Sequence, residues 1–143
     1  MAMNDPVNQA QNKLQSGEVD DAIRIAQSAA QTGDADALAL LATWRLIGHP
    51  LARDLGLARS LLAQAAAARH GWAARALIAL TANGSGAPPD WQAARHLLQD
   101  AAAWDAEAAQ HLRLIEAMDL DADGFPRQPA PTEMISTAPS VRC

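Results

Sequence analysis

Imidazole, thiol and hydroxyl groups are the side chains through which this chain of 143 residues could do metal or nucleophilic chemistry, and their spacing suits neither. A facial non-haem iron centre needs two His and a carboxylate, usually as His-x-Asp/Glu with a distant second His. The residues two beyond His49, His70, His96 and His111 are Leu51, Trp72, Leu98 and Arg113, so no histidine supplies that motif. Zinc needs His or Cys ligands in close pairs; no two His lie three to five apart, and the single cysteine is Cys143. Ser85 lies in Gly84-Ser85-Gly86, without the strand-to-helix elbow that exposes a hydrolase nucleophile. The same glycines lack the Lys-Ser/Thr ending of a phosphate cradle. The expectation is a chain with no catalytic residue, no metal ligand and no cofactor site. The histidines then read as loop or helix-end polarity: His70, beside Arg69, is placed to oppose a helix C-terminal dipole, and His49 with Pro50 fills a loop.

The elements that carry these residues are set out by a repeat. Ala22/Ala58/Ala94, Ile25/Leu61/Leu97, Ala26/Leu62/Leu98, Ala29/Ala65/Ala101 and Ala30/Ala66/Ala102 recur at a step of 36, with Glu18, Asp54 and Asp90 four residues upstream. Within one copy the apolar positions fall at i, i+3, i+4, i+7 and i+8, one stripe of a helix. A second, looser set at i, i+4, i+7 reads Ala37, Leu41, Trp44, then Ala73, Leu77, Leu80, then Ala108, Leu112, Ile115, the third arriving one residue early. Each unit is therefore two helices, A then B. Asp54 and Asp90 are helix-starting residues, able to accept first-turn amide hydrogens. Matched loops from Gly48 to Arg53 and from Gly84 to Pro89 join A to B, glycine closing one helix and proline barring its continuation. Such a repeat predicts an all-α, right-handed α-solenoid of stacked antiparallel helix hairpins, about six helices in all.

Composition agrees. Half the residues are apolar, 35 are alanine and only five are aromatic, so the core must be Ala and Leu at close helix contacts, and alanine has the best helix propensity. The formal charge of −5 comes from 16 acids and 11 bases interspersed along the chain; a phosphate-tracking surface would need clustered bases, so nucleic acid is not an expected partner. No stretch approaches the ~18 apolar residues of a membrane span, and the first 16 residues lack the basic and apolar segments of a secretory signal. A lone cysteine fits a reducing compartment. The expected setting is cytoplasmic, away from membranes.

A helix over roughly Pro6 to Ser16 turns at Gly17 into the helix beginning near Val19, and a last A helix runs from about Asp105 to Leu120, with Glu116 and Asp119 on its outer face. Residues 1–120 then form the repeat domain. Residues 121–143 carry Pro126, Pro129, Pro131 and Pro139 without helical period and read as a Pro-rich flexible linker or tail.

The units resemble the Sel-1-like repeat family, a branch of the tetratricopeptide-like solenoids. The matching residues are Gly33, Ala35, Ala37, Leu41, Gly48, Asp54, Ala58, Leu61, Leu62, Ala65 and Ala66, then Ala73, Leu77, Gly84, Asp90, Trp91, Ala94, Leu97, Leu98, Ala101 and Ala102. Leu55 replaces the usual aromatic, Arg69 the opening glycine and Gly71 the first helix-A alanine. The resemblance implies a scaffold for protein or peptide partners whose A helices line a concave face. The segment from Asp123-Gly124-Phe125-Pro126 to Cys143 is similar to the connector that precedes a 2-oxoglutarate and iron(II)-dependent prolyl-hydroxylase-like oxygenase in some bacterial repeat proteins; that similarity implies an accessory domain of an enzyme whose catalytic region lies elsewhere.

On the concave-face reading, the partner-binding candidates are the helix-A polar residues Asp36, Thr43, Arg45, Arg75, Thr81, Asn83, Gln110 and Arg113. Among the tryptophans, Trp44 shares its phase with Leu41 and belongs to the core, and Trp91 fits a wedge between hairpins. Trp72 and Trp104, at unit junctions, are the interface candidates, since Trp and Arg are enriched at binding hot spots. Exposed helix faces also leave room for a homo-oligomer. Leu61 and Leu97 are expected core residues.

Overall fold

The computed structural model describes residues 5–118. Seven helices follow one another: α1 Pro6–Gln15, α2 Val19–Gln31, α3 Ala35–Ile47, α4 Leu55–Ala67, α5 Gly71–Asn83, α6 Trp91–Ala102 and α7 Ala106–Ala117. There is no strand among the described residues. Among the described residues the helices number seven rather than about six. Asp119, Leu120 and the whole segment expected to be a tail, 121–143, lie outside the described residues. No helix among the described residues is long and apolar enough to cross a membrane.

Side-chain caps place the helix starts. Asp34, Asp54, Asp90 and Asp105 each accept the backbone N–H three residues on, at 2.9 to 3.1 Å, which satisfies one of the donors a helix start leaves orphaned. Glu18 departs from this pattern. It precedes α2 without a cap bond and accepts instead from Lys13 Nζ and Ser16 Oγ, both at 3.0 Å; those bonds, with the Lys13 charge, hold its carboxyl below the usual carboxylate range.

The A-to-B loops are equivalent in detail. Gly48 and Gly84 close α3 and α5 in the left-handed region, at φ 83° and 80°, and the loops end on matching bonds, Asp54 N–H to Arg45 carbonyl and Asp90 N–H to Thr81 carbonyl. A Cβ at position 84 would stand 2.6 Å from the Pro89 ring, so glycine is required there by space as well as by φ. In the B-to-A turns, Arg69 takes the place of Gly33 and adopts its left-handed backbone at φ 63°, a conformation that costs a side-chain-bearing residue about 1 to 2 kcal/mol. The third A helix starts one residue early because α6 has 12 residues where α4 has 13.

Each helix packs chiefly on the next, and α1 also touches α3 as α5 touches α7. The core is correspondingly a chain of overlapping clusters. Ala10, Ala22, Ala26, Leu40, Leu41 and Trp44 join α1 to α3. Leu38, Ala39, Ala42, Leu62, Ala65, Ala73 and Leu77 join α3 to α5. Ala74, Leu98, Ala101 and Ala108 join α5 to α7. This nearest-neighbour construction is how repeat arrays hold together. Leu61 and Leu97 are half-buried edges of the core rather than its centre; the deeply buried leucines of these two helices are Leu62 and Leu98, at 0% and 2% exposure, since the stripe's middle points straight at the facing A helices.

Candidate functional site

A concavity lies between α4 and α6, two B helices with α5 beneath them. Their facing sides carry small residues, Ala63, Ala66 and Ala67 on α4 and Ala93 and Ala101 on α6, so the helices leave space instead of filling it. Leu77 forms the floor. One end, about 260 Å³, is walled by Leu97 and Trp104. The other, about 550 Å³, passes under Ser60, Thr81 and His96 to the Arg59 side chain, with Asp100 along both sections. An apolar groove with a few polar groups on its rim can bury apolar side chains of a partner and orient them.

Arg59 is fixed in place by bonds that span the loop: Nη2 donates to Thr81 Oγ1 at 3.2 Å and Nη1 to the Ser85 carbonyl at 3.4 Å. Thr81 in turn donates to the Leu77 carbonyl at 2.8 Å and is 5% exposed. The expectation of an exposed, helix-A polar residue is thus corrected for Thr81, which faces inward because Arg59 from the next-packed helix satisfies its hydroxyl.

The other candidates differ in exposure and in what they bond. Thr43 is half-buried and donates to the Ala39 carbonyl, and Arg45 donates across its loop to the Ala52 carbonyl at 3.0 Å. Arg45→Ala should cost no more than about 0.5 kcal/mol in thermal or chemical denaturation, since this bond is exposed and bridges residues already held by the loop. Asn83 is exposed, its side-chain oxygen accepting from both Ser85 N–H and Oγ. Gln110 and Arg113 lie exposed on α7.

Arg75 is a correction. Instead of standing free on the surface, it reaches Asp105 Oδ2 at 2.6 Å and Glu107 Oε2 at 2.7 Å, tying α5 to the start of α7, with its side chain 24% exposed. The Arg75 hydrogen bond holds the Asp105 carboxyl below the usual carboxylate range, against burial, with smaller help from the Ala108 N–H and the charges of Arg75 and His111.

Asp36 is exposed and meets His70 Nε2 at 3.1 Å. His70 sits at the N-terminus of α5, where its Nδ1 accepts from Ala73 N–H. It therefore caps the helix that follows it, in place of the expected service to the C-terminal end of the preceding one, because the chain turns sharply at Arg69. Trp72 is 41% exposed and edge-on to His70. Trp104 is half-buried in the groove wall, Trp44 is core at 4% exposure, and Trp91 is half-buried with its Nε1 shut from solvent and unpaired among the described residues. The groove was not anticipated from the sequence; the signal that could have found it is the pair Ala63 and Ala67, alanines where the first B helix has Gln27 and Gln31. Among the described residues, no three His, Cys, Asp or Glu side chains converge as metal ligands.

No family model matches the sequence, and no curated protein matches it. The fold does have a solved counterpart. The crystal structure of a Sel1 repeat protein from Oxalobacter formigenes aligns with a TM-score of 0.66 at 26% identity, over 76% of this chain and 85% of that one. With the phase of its alanines and leucines, its Asp-started B helices and this structural likeness together, the repeating unit of the chain is similar to the Sel1 repeat.

Proposed function

We propose that the chain is a non-catalytic scaffold that binds a protein or peptide, with the α4/α6 groove as a principal seat. The observation that carries this reading is the open, alanine-walled slot itself, apolar within and rimmed by Arg59, His96 and Asp100. Likeness to a Sel1 repeat protein supports an interaction scaffold in general. The finer architecture we take with it is a right-handed stack of antiparallel hairpins whose A helices line the inner curve; contacts of α1 with α3 and of α5 with α7 support an inner A side. On that inner side, Asp36, Asn83, Gln110 and Arg113, with Trp72 at its edge, are the expected accessory contacts.

Ala67→Arg tests the groove. Position 67 is exposed at the end of α4, so the variant should fold with unchanged circular dichroism and lose no more than about 0.5 kcal/mol of stability, while the new side chain obstructs the slot. Proteins cross-linked by the native chain in lysate should be lost from the variant, and an unchanged set of captured proteins removes the groove from the mechanism.

A further inference from the structure

One helix start in this array is capped by an imidazole. Asp5, Asp34, Asp54, Asp90 and Asp105 present carboxylates to first-turn amides, but α5 is capped by an imidazole, with His70 Nδ1 accepting from Ala73 N–H at 3.2 Å. The other ring nitrogen, Nε2, stands 3.1 Å from Asp36 Oδ1 at the start of α3. The two nitrogens carry opposite demands, since Nδ1 must offer a lone pair while Nε2 must offer a hydrogen. The neutral Nε2–H tautomer meets both.

We propose that His70 is a proton-operated latch between α3 and α5, which when neutral caps α5 and holds Asp36, and when protonated gives up the first turn of α5. A proton on Nδ1 sets a donor against the Ala73 donor, so the cap is lost outright. The new positive charge also lies at the positive end of the α5 dipole. Arg69, immediately before it in the chain, adds a like charge. From α3, Asp36 attracts the imidazolium, but its side chain is 65% exposed and solvent screens the pair. From the α7 side, Asp105 lies against Gly71 and Glu107 lies beyond it, and both are already engaged by Arg75. The screened Asp36 pair does not replace the lost cap bond. The turn released carries the exposed Trp72 and leads into Arg75, so proton uptake would change both the surface presented there and the tie to α7. This goes beyond the scaffold reading and stands whether or not the groove binds a partner.

Two measurements on the full chain test it. Nitrogen-15 imidazole spectra should show the Nε2–H tautomer of His70 at about pH 8; an Nδ1–H tautomer overturns the proposal without any variant. Hydrogen-exchange protection of the Ala73 amide, corrected for its intrinsic rate, should fall about tenfold between about pH 8 and pH 5. In His70→Asn, which keeps a favourable cap that does not titrate, the corrected protection should stay flat. In Asp36→Asn, the acid loss should be at least as large, because the attraction that opposes release of the charged ring is gone. Protection that rises in acid, or an equal slope in the native chain and His70→Asn, overturns the latch.

Discussion

Leu62→Ala is expected to destabilise the fold by about 2 to 5 kcal/mol, the range for truncating a buried leucine whose surroundings cannot collapse. Leu62 is the largest side chain that is completely buried among the described residues. It stands in the cluster shared by α3, α4 and α5, among Leu38, Ala39, Ala42, Ala73 and Leu77. Most of its buried neighbours are alanines, whose short side chains cannot swing in to fill the space. Leu61→Ala, one residue away but half-buried, should cost visibly less. Urea denaturation of both variants checks the face assignment, and equal losses at the two positions would contradict it. Against a typical total stability of about 5 to 15 kcal/mol, the Leu62 change alone could unfold a sizeable fraction of the chains at elevated temperature.

The second large effect is expected at Asp105→Ala, at about 2 to 3 kcal/mol. This carboxylate does two jobs: it caps α7 by accepting from Ala108 N–H at 3.1 Å, and it receives Arg75 at 2.6 Å. Losing the cap costs about 1 kcal/mol. Removing a charged hydrogen-bond acceptor from a partly buried guanidinium adds about 1 to 2 kcal/mol, toward the lower end because Arg75 keeps Glu107 at 2.7 Å. Asp105→Asn separates the contributions, since an amide oxygen can still cap while the charge is gone.

The pH dependence follows from the direction of the Asp105 shift. Its folded carboxyl is held below its unfolded value, first by the Arg75 hydrogen bond. The contribution is therefore fully present above the unfolded carboxylate range and is lost as pH falls through the lower, folded value. The stability advantage of the native chain over Asp105→Asn should accordingly be constant near neutrality and vanish in acid. An advantage that persisted well below the carboxylate range would show that the ion pair is not its source.

Much of the fold was legible in the sequence because its causes are local. Alanine and leucine at i, i+3, i+4 and i+7 identify a buried stripe whatever lies opposite, Asp54 and Asp90 announce the helices they cap, and Gly48 and Gly84 end helices through their own backbone freedom. These depend on residues within about two turns. The repeat then transfers each reading to the next unit, and the departures at Arg69 and in the third unit prove to be a strained turn and a shortened helix within the same plan.

What only the tertiary structure decided were relations between residues far apart in the chain. Thr81 reads as a surface polar residue until Arg59, 22 positions away, is found on its hydroxyl; Arg75 reads as a free cation until Asp105, 30 positions away, is found against it. His70 has the same composition of neighbours whether it serves the helix before or after it, and the turn at Arg69 selects the latter. The groove is the plainest case: periodicity reports which way a side chain points, but the space between α4 and α6 is set by how far apart helices with alanine-lined sides are held by the third helix beneath them.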